Sequence, residues 1–199
     1  MIDRTKWYSS FTAIPDIQYE AFVPVVLRKL WGVGTRPKIE RYSYDGQQRD
    51  SVTWETADGS YTSASPAKQH SFILSEPTPT EILSHLCEVL ALPGTASDYH
   101  FALQGAHESL WRHRRAEPTL YNDIERICLL DISLVILTGH EMFGDLPFAV
   151  SAFSRLAGIY ELEGRLSAAL TIYEQAAAGG YFIRNNRADQ LRAVLGARS

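Results

Sequence analysis

Tyr19, Phe22, Val23, Val26, Leu27 and Leu30 recur at steps of three and four residues, the spacing that lines one face of an α-helix. The pattern predicts an amphipathic helix over residues 16–32, with Asp16 as N-cap and Gly32 and Gly34 as its stop. Pro24 lies inside it, and a proline cannot donate to the helical ladder, so the regular part is expected from about Ala21. The period then shortens to two. Ile39–Tyr44, Asp50–Thr56 and Ser60–Ser65 read as strands, separated by Asp45-Gly46 and Asp58-Gly59. An Asp-Gly pair between alternating segments is a hairpin signal, and two in succession predict a three-stranded antiparallel meander. Ser71–Leu74 could add a fourth strand, and Tyr42, Tyr44, Trp54 and Tyr61 supply cross-strand aromatic contacts. A small sheet needs cover on its apolar face, and the residue 16–32 helix is the nearest candidate.

From residue 78 the pattern is helical only. Thr78-Pro79-Thr80-Glu81 is a capping box that opens a helix to about Ala91, stopped by Pro93-Gly94. Asp98–Arg115 follows, with Ser97 as the expected N-cap, and Pro118 opens a helix to about Thr138. That third helix is apolar nearly all round between Ile127 and Leu137, so it is expected to be buried and central. Gly139–Asp145 reads as a loop, and Pro147 begins the next helix. The fold class expected is α+β. A helix-covered antiparallel sheet over residues 1–77 precedes a helical bundle over residues 78–199, with one continuous core shared by the two as the alternative.

Within the bundle, Phe153, Leu156, Ala157 and Tyr160 precede a turn at Gly164, and Ala169, Tyr173 and Ala176 follow it. The small residues let two antiparallel helices approach, and the aromatics fill the space around that contact. With Val150 as the first position, residues 150–183 resemble one tetratricopeptide repeat, whose unit is 34 residues. Tyr181 stands where that family has its terminal proline, and shifting the frame to residues 116–149 places Thr119, Asn122, Asp123 and Arg126 at the key apolar positions. A single unit therefore covers about a sixth of the chain. Because one repeat cannot bury its own faces, the preceding helices and a capping helix near Arg187–Leu195 are expected to serve as neighbours. The resemblance implies a protein or peptide bound on the concave face of the first helix, which would carry Ser151, Ser154, Gly158 and Glu161. None of the Lys, Arg or Asn that members use to grip a terminal carboxylate stands at these four positions.

Charge sharpens this picture. Residues 81–183 carry six basic and thirteen acidic side chains, a net −7 within a chain of net −4, whereas residues 184–199 carry four Arg and one Asp. An acidic body argues against nucleic acid, which needs a basic patch. The Arg184, Arg187, Arg192 and Arg198 tail reads as a solvated terminal helix. Cys87 and Cys128 lie in helical patterns without CxxC spacing and read as reduced thiols. Neither a signal peptide nor a run of roughly 18 apolar residues occurs, so a cytoplasmic, non-membrane protein is expected.

No GxSxG, GxxxxGK[ST], GxGxxG or HExxH sequence is present. His100, Gln104, His107 and Trp111 share one helical face, but two histidines seven residues apart stand roughly 10 Å apart along the axis, too far to share an ion. His140-Glu141 reads as part of a loop. The expectation is therefore a protein without a catalytic residue, cofactor or metal: a protein-interaction module, either an adaptor or a bacterial immunity-type inhibitor. Its partner-binding residues would be Ser151, Ser154, Gly158, Glu161, His107 and Trp111, and a homodimer is compatible with this reading. The alternative is an enzyme drawing on His70, His100, His107 and Glu108 between sheet and bundle. A nucleic-acid role using Arg112, Arg114 and Arg115 with the tail comes third.

Overall fold

The computed structural model describes residues 37–44, 46–55, 59–70, 76–92, 94–143, 149–181 and 186–197. The expected helix over residues 16–32, the Ser71–Leu74 strand and the Pro147 helix start lie outside them. The described residues are mostly helical with a small antiparallel sheet, an α+β architecture. The chain divides into two compact units, Met1–Ala102 and Leu103–Ser199. The change of sequence pattern near residue 78 falls inside the first unit.

In the first unit the strands β1 (Pro37–Tyr44), β2 (Gln47–Glu55) and β3 (Tyr61–Thr62) form an antiparallel meander in the order β1-β2-β3. Tyr44 pairs with Gln47 across a two-residue connection, and the register runs to Pro37 opposite Trp54. Trp54 also pairs with Thr62, and its side chain is buried. The third strand is shorter than the sequence pattern predicts. Ser65-Pro66 closes it by opening a short helix, α1 (Pro66–Gln69). The Ser65 hydroxyl accepts the Lys68 N–H at 3.0 Å, and proline suits the first helical turn because its missing N–H would be unpaired there anyway.

Helix α2 (Pro79–Ala91) starts with the expected box. Thr78 Oγ1 accepts from the Glu81 N–H at 3.3 Å, and the Thr78 N–H donates to Glu81 Oε2 at 2.8 Å. Those bonds to Thr78 hold the Glu81 carboxyl below the usual carboxylate range. Ile82, Leu83, Leu86, Val89 and Leu90 form its buried stripe, each stabilising by roughly 1.5–3 kcal/mol relative to exposure. Helix α3 (Ala96–His113) begins two residues earlier than expected. Thr95, not Ser97, is its cap: Thr95 Oγ1 accepts the Asp98 N–H at 3.1 Å, and Asp98 Oδ2 accepts the Thr95 N–H at 2.9 Å. Asp98 Oδ2 also accepts from Ser65 Oγ at 2.7 Å, so one carboxylate joins the starts of α1 and α3.

Gly94 makes this arrangement possible. A Cβ there would lie 2.7 Å from Ala67 Cβ and 3.2 Å from the Tyr99 ring. Neither neighbour is free to move: Ala67 and Tyr99 are buried, and the Tyr99 hydroxyl donates to Leu92 O at 2.8 Å. Gly94→Ala is expected to destabilise the first unit by about 1–3 kcal/mol through overpacking, read as a lower urea midpoint. An unchanged midpoint would rule out the close approach.

In the second unit, helices α4 (Leu120–Phe143), α5 (Ser151–Leu162), α6 (Leu166–Ala178) and α7 (Arg187–Gly196) follow the C-terminal part of α3. Along the chain α4 packs on α5, α5 on α6 and α6 on α7. Helix α4 runs past the expected stop and takes in His140 and Glu141. Gly139 alone does not break it, since an interior glycine costs only about 1 kcal/mol relative to alanine. Nor is α4 buried all round. It buries Leu120, Ile124, Ile127, Cys128, Ile132, Leu134 and Val135, while Leu129, Ile136 and Leu137 are 40–50% exposed. No helix among the described residues is long and apolar enough to cross a membrane.

Candidate functional site

Helices α5 and α6 are joined by Glu163-Gly164-Arg165, and the end of α5 is a Schellman motif. The Arg165 N–H reaches Tyr160 O at 2.8 Å and the Gly164 N–H reaches Glu161 O at 3.0 Å. Gly164 has φ +74°, a conformation that a Cβ disfavours. The end of α6 repeats the motif, with Gly180 at φ +71° and Tyr181 N–H on Ala176 O at 2.9 Å. Phe153, Leu156, Ala157, Tyr160, Ala169, Tyr173 and Ala176 are all buried. Tyr181, at the position where the repeat family has proline, stacks on Phe153 with ring centroids 5.1 Å apart. Its hydroxyl donates to Val135 O at 3.0 Å, and burial raises its pKa.

The expected partner-binding residues fall into two groups. Ser154 is exposed, and a Cβ on half-buried Gly158 would meet nothing within 4 Å. The other four are engaged by residues of other helices. Glu161 Oε2 accepts from Arg187 Nε at 2.8 Å, and Glu161 Oε1 accepts from the Tyr173 hydroxyl at 3.1 Å. Burial, and then the Glu161 carboxylate, push the Tyr173 hydroxyl up to about 12. Trp111 is half-buried beneath two guanidinium groups, Arg114 at 3.9 Å and Arg155 at 4.3 Å from its ring centroid, with Tyr121 edge-on. Burial lowers the Arg155 pKa.

His107 is fully buried, as is His100. Ser151 Oγ lies 3.5 Å from His107 Nε2 and donates to Glu108 Oε1 at 3.2 Å. A hydroxyl has one proton, so with Glu108 taking it Ser151 can only accept from His107. This is a polar seam between α3 and α5.

His70, the remaining residue of the enzymatic alternative, belongs to a cluster in the first unit. It is the C-cap of α1, and its Nε2 lies 2.8 Å from Glu88 Oε2. Its ring stacks on His85, with centroids 4.9 Å apart and planes 18° apart. Ligand atoms of His70, His85 and Glu88 all lie within 4.8 Å of one another. His85 and Glu88 stand three residues apart on α2 and share one of its faces. Burial, with the neighbouring His70, holds the His85 pKa below its usual value. Ser84 Oγ donates to Glu88 Oε1 at 3.4 Å. A cavity of about 300 Å³ adjoins the cluster, lined by His70, His85, Lys68, Ser97, Asp98 and Phe101 among others.

The sequence reading missed His85 and Glu88. The available signal was the His-x-x-Glu spacing on a capped helix; nothing local announces that His70 folds back onto it. Both cysteines are free thiols, with Cys128 buried and Cys87 half-buried. Burial, then the Glu88 charge, push the Cys87 thiol up to about 11. Comparison of the chain with protein-family models, with curated proteins and with solved structures finds no match.

Proposed function

We propose that this chain is a non-enzymatic protein-interaction module, an adaptor or an immunity-type inhibitor, with a tetratricopeptide-like hairpin over residues 150–183 as its binding element. The observation that carries this reading is the packing order of the second unit. Each helix from α4 to α7 packs on its neighbour in sequence, the arrangement of repeat arrays, whose layers leave a continuous face open to a partner. Ser154 and Gly158 lie on the first helix of the hairpin. Helix α4 adds Leu129, Ile136 and Leu137, apolar side chains left 40–50% exposed at helical spacing. Exposed apolar stripes of this kind suit protein recognition.

Charge points to the occupant. The acidic excess of residues 81–183, thirteen side chains against six basic, favours a basic protein surface, and the arginines of α7 neutralise part of it. It also disfavours nucleic acid, and two cations of the tail are engaged by carboxylates: Arg187 pairs with Glu161, and Arg192 with Glu174 and Asp189.

Affinity purification of the tagged protein from its native cells tests the proposal. A stoichiometric, basic protein partner is expected, with binding weakened at least tenfold by Ile136→Glu with Leu137→Glu and by Ser154→Arg. Those side chains are exposed, so the fold should survive, as far-ultraviolet circular dichroism would report. Retention of no partner, or of one indifferent to both variants, overturns the reading.

A further inference from the structure

We propose that His70, His85 and Glu88 form a binding site for one divalent transition-metal ion of the zinc class, with a coordination position left open toward the adjoining cavity. The argument begins with ligand chemistry. Two imidazole nitrogens and one carboxylate oxygen are borderline donors suited to zinc, cobalt or nickel. Magnesium and calcium prefer shells of oxygen only. The same three ligand types hold zinc in sites that keep a fourth position for water or substrate.

Geometry comes next. Zinc bonds of about 2.0–2.2 Å in a tetrahedron set ligand atoms roughly 3.3–3.6 Å apart. The ligand atoms here already lie within 4.8 Å of one another, with His70 Nε2 and Glu88 Oε2 at 2.8 Å. Closing the set onto one ion requires the stacked His70 and His85 rings to turn so that a nitrogen of each faces the Glu88 oxygen. The supports are regular elements: two ligands project from α2, whose start is fixed by a capping box, and the third caps α1, which packs on α2. Ser84 holds the second oxygen of Glu88, the kind of outer contact that orients a ligating carboxylate.

The cavity supplies the open position. His70 and His85 line it, and its volume of about 300 Å³ is room for water or a small oxygen-donor ligand. Asp98 also lines it but is committed to Thr95 and Ser65, so it is not counted among the ligands. The site lies wholly in the first unit and does not depend on the interaction reading of the second.

The test is calorimetric titration of the full-length, untagged, chelator-treated protein with Zn²⁺. One equivalent should bind with a dissociation constant in the micromolar range or tighter, and Mg²⁺ should not compete. Co²⁺ should give the visible absorption of a four-coordinate site with nitrogen and oxygen ligands. His85→Ala should weaken Zn²⁺ binding at least a hundredfold, and the conservative, half-exposed changes His70→Gln and Glu88→Gln at least tenfold. His113→Ala should leave it unchanged. No saturable binding below about 100 μM overturns the proposal. So does binding that survives His70→Gln and Glu88→Gln in variants whose metal-free melting curves match the parent, since that outcome places the ion elsewhere.

Discussion

Phe153→Ala is expected to lower the stability of the second unit by about 3–5 kcal/mol, the usual cost of removing a fully buried phenylalanine. The size of the loss depends on how far the surroundings can close over the gap, and here they are held. Phe153 has no exposed surface and sits on α5, which packs on both α4 and α6. Its ring stacks on Tyr181, whose hydroxyl is fixed to Val135 O at 3.0 Å. Tyr181 cannot slide into the space without losing that bond, so most of the cavity penalty should remain. Phe153→Leu keeps much of the volume and forfeits mainly the ring stack, and should cost about 1–2 kcal/mol. Urea denaturation followed at the second unit measures both. A loss under about 1 kcal/mol for the alanine variant would mean that Phe153 is not packed as described.

Glu161→Lys carries the second-largest expected effect, about 2 kcal/mol. The substitution removes acceptors for Arg187 and for the Tyr173 hydroxyl and sets one cation against another. Hydrogen bonds to a charged group contribute about 1.5–3 kcal/mol, but the Arg187 side chain is 42% exposed, and water screens that part of the pairing. Helix α7 should detach first, seen as lost helical ellipticity and as proteolytic trimming near residue 187. A double-mutant cycle of Glu161→Gln with Arg187→Gln should return a favourable, non-zero coupling. A coupling of zero would show the pair to be incidental. Glu161 was expected from the sequence to meet a partner. Its bonds assign it to holding α5, α6 and α7 together, so any loss of partner binding in Glu161→Lys must be separated from detachment of α7.

What could be read from the sequence was local physics. Thr78 with Glu81 is a four-residue signal, and the helix it predicts matches α2 at both ends. The two Asp-Gly pairs placed the hairpins because turn geometry depends on adjacent residues. The C-terminal helix expected near Arg187–Leu195 occupies Arg187–Gly196. The misreadings arose where two local signals competed. Ser65 closed a segment read as strand and turned out to cap a helix, and Thr95 won the cap over Ser97 because Asp98 could answer it. The α4 stripe was read as core because hydrophobicity alone does not say which side is covered. The histidine cluster was out of reach for another reason. His70 lies 15 residues before His85, and only the packing of α1 on α2 brings them together.

The order in which the second unit packs has a kinetic consequence. Contacts between sequence neighbours close short loops, so little chain entropy is lost before each contact forms. Such a unit can assemble layer by layer at the fast end of the folding range and come apart in the reverse sense. Helix α7 packs mainly on α6 and reaches α5 through the Arg187–Glu161 pair, whereas α5 packs on both α4 and α6. Helix α7 is therefore this unit's natural point of opening, and its local stability can be far below that of the middle layers without the whole unit unfolding.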